Sequence, residues 1–137
     1  MALALLAVPT FISERLALNA ARDWTEDLDG AYDALDTSAN LNPFADVPLL
    51  VKANIARQAG DTETALSALE EAQEREPDDW RGYFLAAQVL GPDSPEGREQ
   101  LDKALALNPD GEELKRLQDK LDDASGRQEP DRGEGES

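Results

Sequence analysis

The side chains able to do acid–base or metal chemistry in this sequence are nearly all carboxylates. Asp27, Asp29 and Asp33 crowd around Gly30, while Glu70-Glu71, Asp78-Asp79 and Asp122-Asp123 stand as adjacent pairs. The first group invites a calcium reading. A calcium loop needs ligands at alternate positions, a glycine at the sixth and a glutamate at the twelfth. Counted from Asp27, the glycine is fourth and the twelfth residue is Ser38. These acids instead read as a turn and a helix start supplied with capping carboxylates. The adjacent pairs read as solvated faces and caps. With no His, the commonest general base and metal ligand is missing, and with no Cys there is no thiol or disulfide chemistry. No Ser-His-Asp set can be assembled and no glycine-rich phosphate loop is present. The sequence therefore predicts a non-enzymatic chain with no cofactor and no metal.

Charge narrows the partners. The 137 residues hold 30 acidic and 13 basic side chains, a formal net charge of -17. Such a balance argues against nucleic acid or anionic lipid held on a general basic face. It favours basic partners; that the partner is a protein or peptide follows from the helical repeats and not from charge. Hydrophobic residues make up 40% of the chain, many of them Ala and Leu, which favours closely packed helices over strands.

The elements that must position any site follow a period. Pro43 and Pro77 lie 34 residues apart, and Pro109 follows after 32. Ahead of them stand Ala31-x3-Leu35-x2-Ser38, Ala65-x3-Leu69-x2-Ala72 and Gly97-x3-Leu101-x2-Ala104. A period near 34 with small residues, one large apolar residue and a closing proline marks stacked helical hairpins. Helices are expected over 11–24, 28–41 and 47–59, and each Pro-closed segment ends one, because proline disfavours helical geometry in the residue before it. Asp46 is expected to cap the helix from Val47, Gly60 to supply a left-handed turn, and Asp61 to cap the helix that follows. Ser94 before Pro95 is a strong start signal. The shorter third step implies a shorter first helix or a tighter turn in that hairpin. Asp110 and Glu113 are spaced as a capping box for a last helix over about 112–124, with Leu114, Leu117 and Leu121 on one stripe. Residues 125–137 contain no apolar side chain and are expected to be a disordered acidic tail.

These features resemble the tetratricopeptide repeat. The resemblance covers about Ile12 to Pro109 and implies an all-α, right-handed α-solenoid of about three such hairpins plus a C-terminal capping helix. The repeats would fall at about 12–45, 46–79 and 80–109, with the cap at 110–124. Repeat one has Glu26-Asp27 where the turn glycine is usual. The resemblance also implies a concave face made by the first helix of each hairpin. On this chain it would carry Leu50, Asn54 and Arg57 from repeat two, and Arg81, Phe84 and Gln88 from repeat three. Arg57 and Arg81 would suit a carboxylate-bearing partner; equally, they read as solvated residues balancing nearby acids. Lys52, Asn54 and Arg57 do not complete the two-carboxylate clamp of chaperone-binding repeat domains. Trp24 and Trp80 are expected to pack against the previous hairpin.

A narrower resemblance rests on Leu41-Asn42-Pro43, Pro48-Leu49-Leu50-Val51-Lys52-Ala53, Ile55-Ala56, Gly60-Asp61 and Glu76-Pro77-x2-Trp80. This string is similar to the soluble C-terminal tail of bacterial O-antigen ligase/polymerase-type membrane proteins. It implies a module on the extracytoplasmic face of a membrane, with the glycan chemistry carried elsewhere. Otherwise the chain reads as an independent cytoplasmic scaffold or a self-associating module. Residues 1–11, with Ile12, are almost wholly apolar but shorter than the roughly 20 residues that span a bilayer. They read as an extension of the first helix, as the end of a membrane helix acting as a tether, or as a cleaved signal without a basic start. Left uncovered, they would drive homodimers.

Overall fold

The computed structural model of the chain describes residues 15–126. Residues 1–14 and 127–137 lie outside the described residues, so the apolar segment over 1–11, the start of the first helix and most of the expected tail do too. The regular secondary structure of the described residues is all helical, with no strand among them. The elements are α1 (15–23), α2 (Leu28–Leu41), α3 (Val47–Ala59), α4 (Thr62–Arg75), α5 (Trp80–Leu90), α6 (Pro95–Leu107) and α7 (Glu112–Gly126). They stack as an α-solenoid. α3 packs against α2, α4 and α5, and α6 packs against α5 and α7.

The starts and stops follow local chemistry. Asp27 Oδ1 accepts from Gly30 N at 2.9 Å, Asp61 Oδ1 from Thr64 N at 3.1 Å and Ser94 Oγ from Gly97 N at 3.0 Å. Each satisfies an amide that the first helical turn leaves orphaned. The Asp27 carboxylate is thereby a cap. Gly60 ends α3 at φ 79, and Asp61 N donates back to Ala56 O at 2.8 Å, a closure that needs the left-handed region glycine reaches without strain.

Three expectations at the helix ends need correction. Asp46 precedes α3 but makes no side-chain cap; its backbone is helical there, and the carboxyl turns inward and is buried. Gly111, not Asp110, immediately precedes α7, and Asp110 reaches Lys115 Nζ at 3.6 Å instead. With α7 starting at Glu112, Gly111 holds the cap position and Asp110 and Glu113 fall one residue out of capping-box register. α7 runs to Gly126, so residues 125 and 126 are helical rather than part of a structureless tail. The third hairpin has the shorter first helix expected of it, α5 having 11 residues against 13 in α3, while its turn is longer: residues 91–94 separate the helices where 60–61 did before.

The core runs continuously along the stack because each cluster borrows from the neighbouring hairpin. Ile55 of α3 joins Ala17, Ala20, Ala31 and Leu35. Leu49, Leu50, Ala53, Ala68, Leu69 and Ala72 take Ala39 from behind and Ala86 from ahead. Ala87, Leu101 and Ala104 are closed off by Leu114 and Leu121 of α7. The small residues are where the helices approach each other closely, and each fully buried leucine contributes about 1.5–3 kcal/mol. Trp24, in the turn after α1, packs into the first cluster. Trp80 packs against the last cluster and also lines a groove with Val47, Leu50 and Val51 of the previous hairpin.

Polar ties reinforce the stack. Tyr32 OH donates to Asp61 Oδ2 at 3.2 Å, and Lys52 Nζ lies 2.7 Å from Asp36 Oδ1 and 5.5 Å from the Tyr32 ring centroid. Burial and the Asp61 acceptor push the Tyr32 phenol up to about 12. Arg75 is the strongest tie. Its Nη1 donates to the carbonyls of Ala39 at 3.0 Å and Ala45 at 3.2 Å, and its Nη2 lies 2.6 Å from Glu71 Oε1. A cation at the orphan carbonyls ending α2 also complements that helix's dipole. Arg75→Met, which keeps the stem and removes the fork, is expected to cost about 2 kcal/mol. Chemical denaturation checks this, and Arg75→Lys should recover only part of the loss, because a point charge cannot serve two divergent carbonyls.

Candidate partner-binding groove

The first helices of successive hairpins, α3, α5 and α7, line an open groove of about 390 Å³. All six residues expected on the concave face lie along it: Leu50, Asn54 and Arg57 from α3, and Arg81, Phe84 and Gln88 from α5. Spacings of three and four put each trio on one stripe of its helix. Their roles differ. Leu50 is 6% exposed and belongs to the core, so it forms floor. Asn54, Phe84 and Gln88 are half-buried, and Arg57 is exposed. Val47, Val51, Trp80, Leu85 and Glu113 complete the lining. Trp80 and Phe84 meet at a centroid distance of 5.9 Å and an angle of 51°. Together with Val47, Val51 and Leu85 they make the walls mainly apolar.

Three of the five additional residues were within reach of the sequence. Val47 is one turn before Leu50, Val51 one turn before Asn54, and Trp80 one turn before Phe84. Glu113 carried no such signal, because it reads as a capping partner until α7 is seen standing in the place of a further first helix.

The two arginines are not equivalent. Arg57 Nη2 donates to Asn54 Oδ1 at 3.0 Å, a neutral partner that leaves its charge available. Arg81 is clamped by Asp79, with Nε 2.9 Å from both carboxylate oxygens and Nη2 in contact with Oδ2. Asp79 Oδ1 also accepts from Arg81 N at 2.9 Å as the cap of α5. The Arg81 guanidinium holds Asp79 down at about 2. Asp46 lies beside this pair. Burial pushes its carboxyl up to about 6, and the neighbouring Asp79 adds to the shift. The notion of two open cations is therefore corrected: Arg57 is open and Arg81 is already satisfied by its own chain.

Among the described residues no group of His, Cys, Asp and Glu is placed to hold a metal ion. Nor is any described helix long and apolar enough to cross a membrane.

No family model and no curated protein matches the chain. Solved structures do. The first tetratricopeptide domain of Spaghetti (RPAP3), bound to the HSP90 peptide SRMEEVD, is 16% identical over 85% of this chain and 95% of its own, with a TM-score of 0.69. The OM64 tetratricopeptide domain of Arabidopsis is 14% identical over 85% of this chain and 98% of its own, at 0.70. The first such domain of human RPAP3 is 16% identical over 85% and 94%, at 0.70. Hairpin order, closing prolines and these superpositions agree that the chain has the tetratricopeptide repeat fold.

Proposed function

We propose that this chain is a non-catalytic protein-interaction module whose groove takes an extended peptide with apolar side chains and a carboxylate. The observation that carries this reading is the pairing of the Trp80–Phe84 wall with the neutrally partnered Arg57 in one groove. Apolar walls give area, and the guanidinium gives a charge-assisted bond that fixes register. A similar fold holding an HSP90 peptide supports a peptide as the occupant. The clamp of such domains is not copied, since Lys52 is committed to Asp36.

A displayed peptide library selected on the chain tests this, with Trp80 fluorescence reporting occupancy of the groove. Selected peptides should share apolar residues beside an acid or a free C-terminus. Arg57→Glu should weaken them at least tenfold, since a hydrogen bond to a charged group contributes about 1.5–3 kcal/mol. Selection of peptides without a carboxylate, or affinity untouched by the reversal, places the site elsewhere.

A second reading concerns location. The motif string from Leu41 to Trp80 and the apolar run over 1–12 support a module on the extracytoplasmic side, as the tail of a glycan ligase or polymerase of the membrane. The alternatives are a cytoplasmic scaffold and a dimer held by the apolar run. A topology reporter fused after Ser137 in the natural gene decides the side, and activity on the cytoplasmic side would sink the tail reading. Sedimentation with and without residues 1–12 decides the dimer.

A further inference from the structure

One buried ionisable group, Asp46, takes no part in the groove. Asp46 is 5% exposed, in the loop that joins the first hairpin to α3. Its Oδ2 is buried with no hydrogen-bond partner. Asp79, at the mouth of α5, faces it from the next hairpin junction and is itself largely covered. The other charged groups around it are Arg81, which spends its fork on Asp79, and Arg75 of α4, which spends its fork on Ala39, Ala45 and Glu71. Glu113 of α7 adds further negative charge along the groove. Asp46 therefore has a like charge before it and no cation of its own. Two carboxylates in such a place cannot both ionise cheaply.

We propose that Asp46 and Asp79 share one proton across the junction between the second and third hairpins, forming a latch that holds tightly in acid and loosens towards neutral pH. The proton resides on Asp46, whose hydroxyl donates to the Asp79 carboxylate while Arg81 binds that carboxylate from the other side. Loss of the proton leaves two covered like charges side by side, with the one guanidinium already bound to Asp79 on its far side.

The sign follows from the two groups. Asp46 is raised from 3.8 to about 6, so its contribution is full below 3.8 and is lost as pH rises through 6. Asp79 is lowered from 3.8 to about 2, so its contribution is present above 3.8 and is lost as pH falls towards 2. The Asp46 limb corresponds to roughly a hundredfold change in the unfolding equilibrium.

The test compares the unfolding equilibrium of the parent chain with that of Asp46→Asn between pH 4 and pH 8. Asparagine keeps a donor for Asp79 at every pH. Its stability relative to the parent should therefore rise by roughly a hundredfold across that range, with the change centred between pH 4 and 6. A ratio that stays flat overturns the latch. Should Asp46→Asn fail to fold, carboxyl-carbon NMR on the parent chain decides: an Asp46 midpoint near 6 supports the shared proton, and one near 4 overturns it.

Discussion

Leu69→Ala is expected to lower the unfolding free energy by about 3–4 kcal/mol. Leu69 is 1% exposed in the middle of the central cluster, where α3 and α4 meet Ala39 from one side and Ala86 from the other. Truncation removes the transfer energy of the lost carbons and leaves a cavity. The neighbours that would have to collapse into it include Ala53, Ala68 and Ala72, none with a side chain long enough to reach. Position multiplies the effect. In a stack stabilised by nearest-neighbour interfaces, the central hairpin couples both flanks, whereas Leu35 couples only one. Leu69→Ala should therefore broaden the denaturation transition or split it in two, while Leu35→Ala should shift a single transition. A loss below about 1 kcal/mol for Leu69→Ala would show that the central cluster does not hold the stack together.

Gly97→Ala is expected to cost a net 2–3 kcal/mol. A Cβ there would lie 2.0 Å from the carbonyl oxygen of Gly91 and 2.7 Å from its carbonyl carbon. Both are backbone atoms, so relief requires the whole turn to move. That turn is fixed from both ends: Ser94 N donates to Gly91 O at 3.0 Å, and Ser94 Oγ donates to Gly91 O at 2.7 Å while accepting from Gly97 N. Alanine's better helix propensity returns less than about 1 kcal/mol in a first turn. Gly60→Ala makes the comparison. Its Cβ would meet nothing within 4 Å, so only the left-handed backbone is strained, at roughly 1 kcal/mol. Denaturation midpoints should thus rank Gly97→Ala below Gly60→Ala; the reverse order would remove the close approach as the reason for glycine at residue 97.

The period of Pro43, Pro77 and Pro109 made the hairpins legible because each carries the same local instruction: small residues where helices touch, then a stop. The groove stripe was legible for the same reason, since register within a repeat fixes which side of a helix faces inward. Asp46 was misread because an acid before Val47-Pro48 satisfies every local rule for a cap, and only the third dimension reveals that Asp79 and Arg81 lie next to it. Arg81 looked available because its partner sits two residues away, where helix spacing would not place it; the bond forms through the non-helical backbone of Asp79. The long turn over 91–94 escaped because its two extra residues offset the two missing from α5; the deficit in the period lies in the loop before α5 and in α6, each one residue shorter than its counterpart in the second hairpin. Glycine in place of alanine at residue 97 was the visible trace of that turn.

The Arg75 tie has a consequence for how the chain breathes. Its fork reaches from the end of α4 to the carbonyls of Ala39 and Ala45, so the loop between the first two hairpins cannot open alone. The amides of Asn42 and Ala45, which donate to Ser38 O and Asn42 O, belong to the same opening unit as the last turn of α4. In native-state hydrogen exchange these loop amides should exchange at the rate of a helix interior, and in Arg75→Met they should revert to that of an ordinary surface turn. A connection that looks like linker is, in its fluctuations, part of the second hairpin.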